Sequence, residues 1–183
     1  MAGAAERGGL SLAAGAPAAV WPGTRAARSL WWRPPRLAVV LTAVALIVHL
    51  AVCGPSAPLG RSVWSGLAIE TLGLGWLLWA ASRFRAAGTP IWPTERPQRF
   101  VDDGPFRFGR NPMYLGMTVS MLGLALKLGA PTLVVAAAAF AVIVQRVYIP
   151  HEETRRRAAF GGWYSDYAAS VRRWLCGPCR VCC

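Results

Sequence analysis

Acidic side chains are scarce here, with eight Asp and Glu against 20 Lys and Arg in 183 residues. Charge of either sign is thin: charged residues make up 15% of the chain and hydrophobic ones 55%. A chain so poor in polar surface argues against a water-soluble bundle and for a membrane protein. Cysteine is nearly missing too, since Cys53 stands alone until Cys176, Cys179, Cys182 and Cys183 crowd the last eight positions. That distribution argues against a disulfide framework. The tail reads as reduced thiols more readily than as zinc ligands or lipidation sites, and no metal site is expected.

What the sequence has instead is long apolar runs. Leu37 to Cys53, Val63 to Ala81, Pro112 to Leu128 and Thr132 to Ile149 are each 17 to 19 residues long. A bilayer core of roughly 30 Å takes about 20 helical residues, so all four are candidate spans. The expectation is an all-α polytopic membrane protein of about four transmembrane helices, with a C-terminal helical hairpin and a cytoplasmic C-terminal helix. Cationic residues alternate with the spans. Arg7, Arg25, Arg28, Arg33 and Arg36 precede the first, and only Arg61 follows it. Arg83, Arg85, Arg96, Arg99, Arg107 and Arg110 fill the middle loop, and Lys127 marks the third turn. Six more arginines follow the last span, with Arg146 just inside it. By the positive-inside rule both termini and the middle loop are cytoplasmic in a multi-pass protein, of a bacterial cytoplasmic membrane by expectation. The net charge of +12 thus has a topological explanation that needs no nucleic acid. The first run reads as a retained span, because 36 residues ahead of it is long for a signal-peptide n-region.

Three divisions follow: a flexible basic leader over 1–36, a membrane domain over 37–175 and a Cys-rich tail over 176–183. His49 reads as a packed group. Glu70 lies inside the second span, where an ionisable residue usually faces a partner or a cavity, and Gly73-Leu74-Gly75 offers a smooth face for a neighbouring helix. Pro90, Pro93 and Pro97 prevent a long helix after Ala81. The chain is organised around GPFRFGRNPMYLG, Gly104 to Gly116, an arginine- and aromatic-rich loop that runs into the third span at Asn111-Pro112.

Lys127 to Pro131 leaves room only for a tight turn between the third and fourth spans. A chain that goes out and back returns to the depth it left, so His151, Glu152 and Glu153 are expected beside Arg110, Asn111 and Tyr114. Beyond Pro150 the pattern predicts an amphipathic helix interrupted at Gly161-Gly162, with Trp163, Tyr164 and Tyr167 on one side. Two glutamates in the first turn after a proline also have a plain reading as dipole compensation. Together, carboxylates and aromatic faces suit a water-soluble cofactor carrying positive charge and a planar base.

These residues carry a resemblance. GPFRFGRNPMYLG, a two-span hairpin, Glu152-Glu153, then Phe160-Gly161 with Tyr164 and Tyr167, resemble the integral-membrane methyltransferases of the isoprenylcysteine carboxyl methyltransferase and phospholipid methyltransferase group over roughly residues 70 to 175. The resemblance implies S-adenosylmethionine as cofactor and methyl transfer to a lipophilic acceptor (carboxylate, amine or thiol) at the cytoplasmic membrane face, with membrane lipids as surroundings. It implies that Gln98, Arg99, Phe100, Val101, Phe106, Asn111, Pro112, Met113 and Tyr114 line the cofactor, and that Glu152 faces it with Glu153 alongside. Asn111 stands where many members have His. Tyr148 stands where the eukaryotic prenylcysteine enzymes carry an arginine for the substrate carboxylate, which leaves Arg146 as the candidate for that role. Should the acceptor be an amine, Glu70 or Glu153 is the candidate base. Two other readings remain open at this point: a nicotinamide-dependent membrane reductase of related architecture, and a non-catalytic lipid-binding membrane protein.

Overall fold

Proline and glycine set the ends of the helices that the apolar runs form. The computed structural model describes residues 34–56, 58–88 and 101–175. The leader up to Arg33, the connector carrying Gln98, Arg99 and Phe100, and the cysteine tail lie outside the described residues. Helix α1 is Pro34–Cys53, α2 Val63–Ala86, α3 Pro112–Leu128 and α4 Pro131–Ile143. A 3₁₀ turn over Gly104–Arg107 precedes α3, and a π turn over Val144–Tyr148 leads from α4 into α5, Ile149–Phe160, after which α6 is Gly162–Ser170. No strand occurs among the described residues.

Pro112 and Pro131 open α3 and α4, where a missing N–H costs nothing and the fixed φ suits the first turn. Between them Gly129 takes φ 66°, the left-handed conformation that a side chain resists. The Ala130 N–H then reaches the Ala125 carbonyl at 3.0 Å and the Gly129 N–H that of Leu126 at 3.3 Å, a Schellman closure. The hairpin expected from the short Lys127–Pro131 link is present.

Helices α2 and α3 run antiparallel at very close approach. A Cβ added to Gly73 would lie 2.6 Å from the Ser120 nitrogen, and one on Gly116 would lie 2.8 Å from the Gly73 carbonyl oxygen. Gly66 meets Lys127, and Gly123 meets Glu70, in the same way. These glycines recur at seven-residue spacing on both helices, so each strip presents bare backbone to the other. Lipid tails are as apolar as leucine, so helices in a membrane associate through such close packing. Of the smooth face expected at Gly73-Leu74-Gly75, only Gly73 lies in the seam, since nothing approaches Gly75 within 4 Å.

Three helices are long and apolar enough to cross a membrane: Pro34–Cys53, Val63–Ala86 and the continuous Pro131–Phe160. At 17 residues α3 is shorter, so the expected four spans become three full-length helices and one short partner. Val39, Ile47, Val52, Leu72, Leu78, Val135 and Val142 are more than half exposed, an outward apolar surface that hydrocarbon would cover. The core lies between the helices and includes Met117, Met121, Ala125, Leu133, Ala137, Phe140 and Val144. His49 is buried with Nε2 3.1 Å from the Ser56 carbonyl, the packed role expected of it.

One expectation about the C-terminal part is corrected. Pro150 does not begin a separate helix, because α4 continues through the π turn into α5. A proline inside a helix lacks its N–H and crowds the carbonyl one turn back; a π turn directly before it widens the helix and accommodates both. The second helical stretch, after the break at Gly161, ends at Ser170. Val171 is extended, and residues 171–175 form a strap that turns back over the loop before α3.

Candidate functional site at the charged end of the helices

The register of α2 against α3, continued past Gly116, sets Asn111 level with Ser82. Helix α2 runs four residues further, to Ala86, so α3 starts recessed and the Gly104–Asn111 loop fills the step. Aromatic and charged contacts from α2 and a hydrogen bond from α6 hold that loop. Phe106 meets Phe84 of α2 edge-on at 5.1 Å between ring centroids, and Phe108 meets Trp76 at 5.9 Å. Arg83 pairs with Asp103. From α6 the Tyr167 hydroxyl donates to the Phe106 carbonyl at 2.7 Å.

The strap holds the loop as well. The Arg110 N–H donates to the Arg172 carbonyl at 2.9 Å, and the Asn111 amide nitrogen to the Arg173 carbonyl at 3.1 Å. Trp174 Nε1 donates to Gln145 Oε1 in the π turn at 2.7 Å. Backbone meets backbone so closely at Gly109 that a Cβ there would collide with the Trp174 carbonyl.

Inside this enclosure sits the acidic pair of α5. Glu152 and Glu153 are 8% and 6% exposed, a depth at which carboxylates persist only when partnered. Glu152 accepts from the Tyr114 hydroxyl and from Arg156 Nη2 at 2.9 Å. Glu153 takes both prongs of Arg173, at 3.1 and 2.8 Å, and lies 3.3 Å from Arg110 Nη1. The bidentate bond to Glu153 raises the Arg173 pKa, so that guanidinium stays charged. Burial pushes the Tyr167 hydroxyl above the ordinary tyrosine range, against the opposing pull of Arg156 and Arg110.

Every described member of the expected cofactor set is at this end. Tyr114 and Glu152 are bonded, Asn111 and Glu153 are joined through Arg173, Phe106 is buried in the loop, and Pro112 and Met113 open α3. Val101 is half-buried just ahead of the loop. Glu70 is not brought here: it pairs with Lys127 across from Gly123, nine residues from Tyr114 or roughly 13 Å along α3. Arg146 is exposed in the π turn. Arg110, Arg156, Arg173 and Trp174 were not in the expected set, although the first two lie in or beside motifs that were. For Arg156 the signal was its spacing of four from Glu152; for the strap no local signal existed.

Among the described residues three polar atoms at this end are buried without a partner: Asn111 Oδ1, Arg110 Nε and Trp76 Nε1. One acceptor and two donors left in this way are unusual in a folded protein. A helical fold with an outward apolar surface and a cluster of partnered charges at one end is that of a membrane protein. Over residues 62–161 the chain matches the phospholipid methyltransferase family, more than half its length, and it belongs to that family: it is a membrane methyltransferase. No curated protein and no solved structure matches it.

Proposed function

We propose that this protein transfers a methyl group from S-adenosylmethionine to a lipophilic acceptor at the cytoplasmic face of the membrane. The observation that carries the reading is the buried Tyr114–Glu152–Arg156 contact beside an unpartnered Asn111 oxygen, recessed below the end of α2. The residues present fit the cofactor. Its ammonium and base N–H groups need acceptors, which Asn111 Oδ1 and Glu152 supply, and its carboxylate needs donors. Arg110 Nε and the start of α3, which has no side-chain cap, supply those. The cytoplasmic assignment rests on the arginines gathered at this end.

When bound, S-adenosylmethionine supplies an electrophilic methyl on a positively charged sulfur. What the chain contributes is alignment and a dry path, the main needs of a direct displacement. Tyr114 and Arg156 hold the Glu152 carboxylate at a fixed angle, and Arg110 and Arg173 hold Glu153 and, through it, the strap. Glu70 and Glu153 are both engaged with cations, and Glu70 pairs with Lys127 away from this end. The acceptor class stays a carboxylate, an amine or a thiol.

The test is transfer of labelled methyl groups from S-adenosylmethionine to a lipid extract by the purified full chain. Label in the extractable lipid, lost in Glu152→Gln, is the expected result. Saturable binding of NADPH in place of S-adenosylmethionine would overturn the reading in favour of a reductase.

A further inference from the structure

The family match ends at residue 161, yet the site does not. Three strap contacts reach into it from beyond that boundary: the Arg172 carbonyl on the Arg110 N–H, the Arg173 carbonyl on the Asn111 amide, and the Arg173 guanidinium on Glu153. Asn111 shows what they achieve. It stands at the N-cap of α3, a position that Asn normally fills by bonding the first-turn N–H groups, and it makes no such bond. Its amide nitrogen points instead to the Arg173 carbonyl. A carbonyl can only accept, so this contact settles which end of the amide is nitrogen and which is oxygen. The oxygen at the other end belongs to a residue only 3% exposed and has no donor among the described residues.

We propose that the strap of residues 171–175 completes the cofactor site: it turns Asn111 so that Oδ1 accepts a hydrogen bond from an N–H donor of the cofactor, and Arg173 is the positioning residue that keeps it down by clamping Glu153. The inference rests on the S-adenosylmethionine reading. The contacts that orient Asn111 come from residues 172 and 173, beyond the matched residues 62–161. S-adenosylmethionine has two kinds of N–H donor, the α-ammonium and the adenine amino group, and the same oxygen suits either.

The test uses the full chain in lipid nanodiscs, with S-adenosylmethionine binding and amide hydrogen exchange at Arg110 as two readouts. Arg173→Ala is expected to weaken binding about tenfold to a hundredfold, the usual scale for loss of a charged hydrogen bond. It is also expected to speed exchange at the Arg110 amide, whose acceptor is on the strap; Arg173→Lys should recover part of both. Unchanged affinity and unchanged exchange in Arg173→Ala would overturn the proposal. The donor is identified by competition with S-inosylhomocysteine, which lacks the adenine amino group, and the deaminated analogue 5′-(3-carboxypropylthio)-5′-deoxyadenosine, which lacks the ammonium and keeps the carboxylate. One of the two should bind the native chain markedly less well than S-adenosylhomocysteine, and that penalty should vanish in Asn111→Leu. If the relative affinities are the same in native chain and variant, Asn111 accepts from neither and the proposal fails. If the native chain binds no S-adenosylmethionine, both this proposal and the cofactor reading fall; if it binds but Arg173→Ala matches it, only the strap's role falls.

Discussion

At the scale of single residues, the site is a set of buried charges that tolerate burial because each is partnered. Tyr114 and Glu152 are separated by 38 positions and share one hydrogen bond, so removing the tyrosine hydroxyl leaves Arg156 to hold Glu152, whereas removing the carboxylate strips the buried hydroxyl of its acceptor. Glu152→Gln is expected to abolish S-adenosylmethionine binding while the protein stays folded, which binding assays paired with thermal unfolding in detergent would check. Tyr114→Phe is milder: it removes one donor and keeps the ring, so affinity should fall by about tenfold. Tyr167 gives a prediction in pH. Burial holds its pKa above the unfolded value, so above about pH 10 the unfolded chain ionises while the folded one does not. The stability it contributes is therefore complete below pH 10 and is lost as pH rises further. Tyr167→Phe should flatten that alkaline decline, as read from melting temperature against pH, at the cost of the bond to the Phe106 carbonyl.

At the scale of elements, the glycine seam between α2 and α3 sets where the site lies. The close contacts of Gly66, Gly73, Gly116 and Gly123 leave one register available, and that register places Asn111 below the end of α2. Gly123→Ala would push a methyl into the Glu70 backbone, and overpacking of this kind costs about 1–3 kcal/mol. Gly75→Ala makes a control on the same helix, since nothing lies within 4 Å; relief of glycine's backbone entropy should make it neutral or stabilising by about 0.5–1 kcal/mol. Unfolding of both variants in the same detergent would show the contrast. Glu70 belongs to this scale as well. Its pairing with Lys127 ties the far end of the two helices together, an account of an intramembrane acid that involves no substrate.

At the scale of the whole molecule, the loop, α3, α5 and the strap all meet at the arginine-rich end, and the Leu59–Arg61 turn lies at the other. Single-cysteine reporters at the exposed positions Arg107 and Arg157, in a background without the native cysteines, are expected to react with an impermeant reagent from the same side. A reporter at Arg61 should react only from the opposite side. Labelling of Arg107 and Arg157 from opposite sides would remove the site, because Glu153 and Arg110 are in contact.

Much of this architecture was legible in the amino-acid order, because helices in a membrane must satisfy their own backbone and so announce themselves as apolar runs. Gly129-Ala130-Pro131 dictated the hairpin through local turn chemistry, and a hairpin returns Glu152 to the level of Tyr114 whatever else the chain does. The family resemblance was legible in Gly104 to Gly116 and Glu152-Glu153, and the family match spans residues 62–161. The tertiary structure alone decided the rest. Whether Pro150 starts a helix or sits behind a π turn depends on how α4 packs, and Glu70 found Lys127 only through the seam's register. The strap was hidden for the same reason: Val171 to Leu175 carries no period or turn signal, and its position depends on a clamp between Arg173 and a glutamate 20 residues away. Contacts between neighbours in sequence are written into local propensity, whereas contacts made across the fold exist only once the helices have chosen their partners.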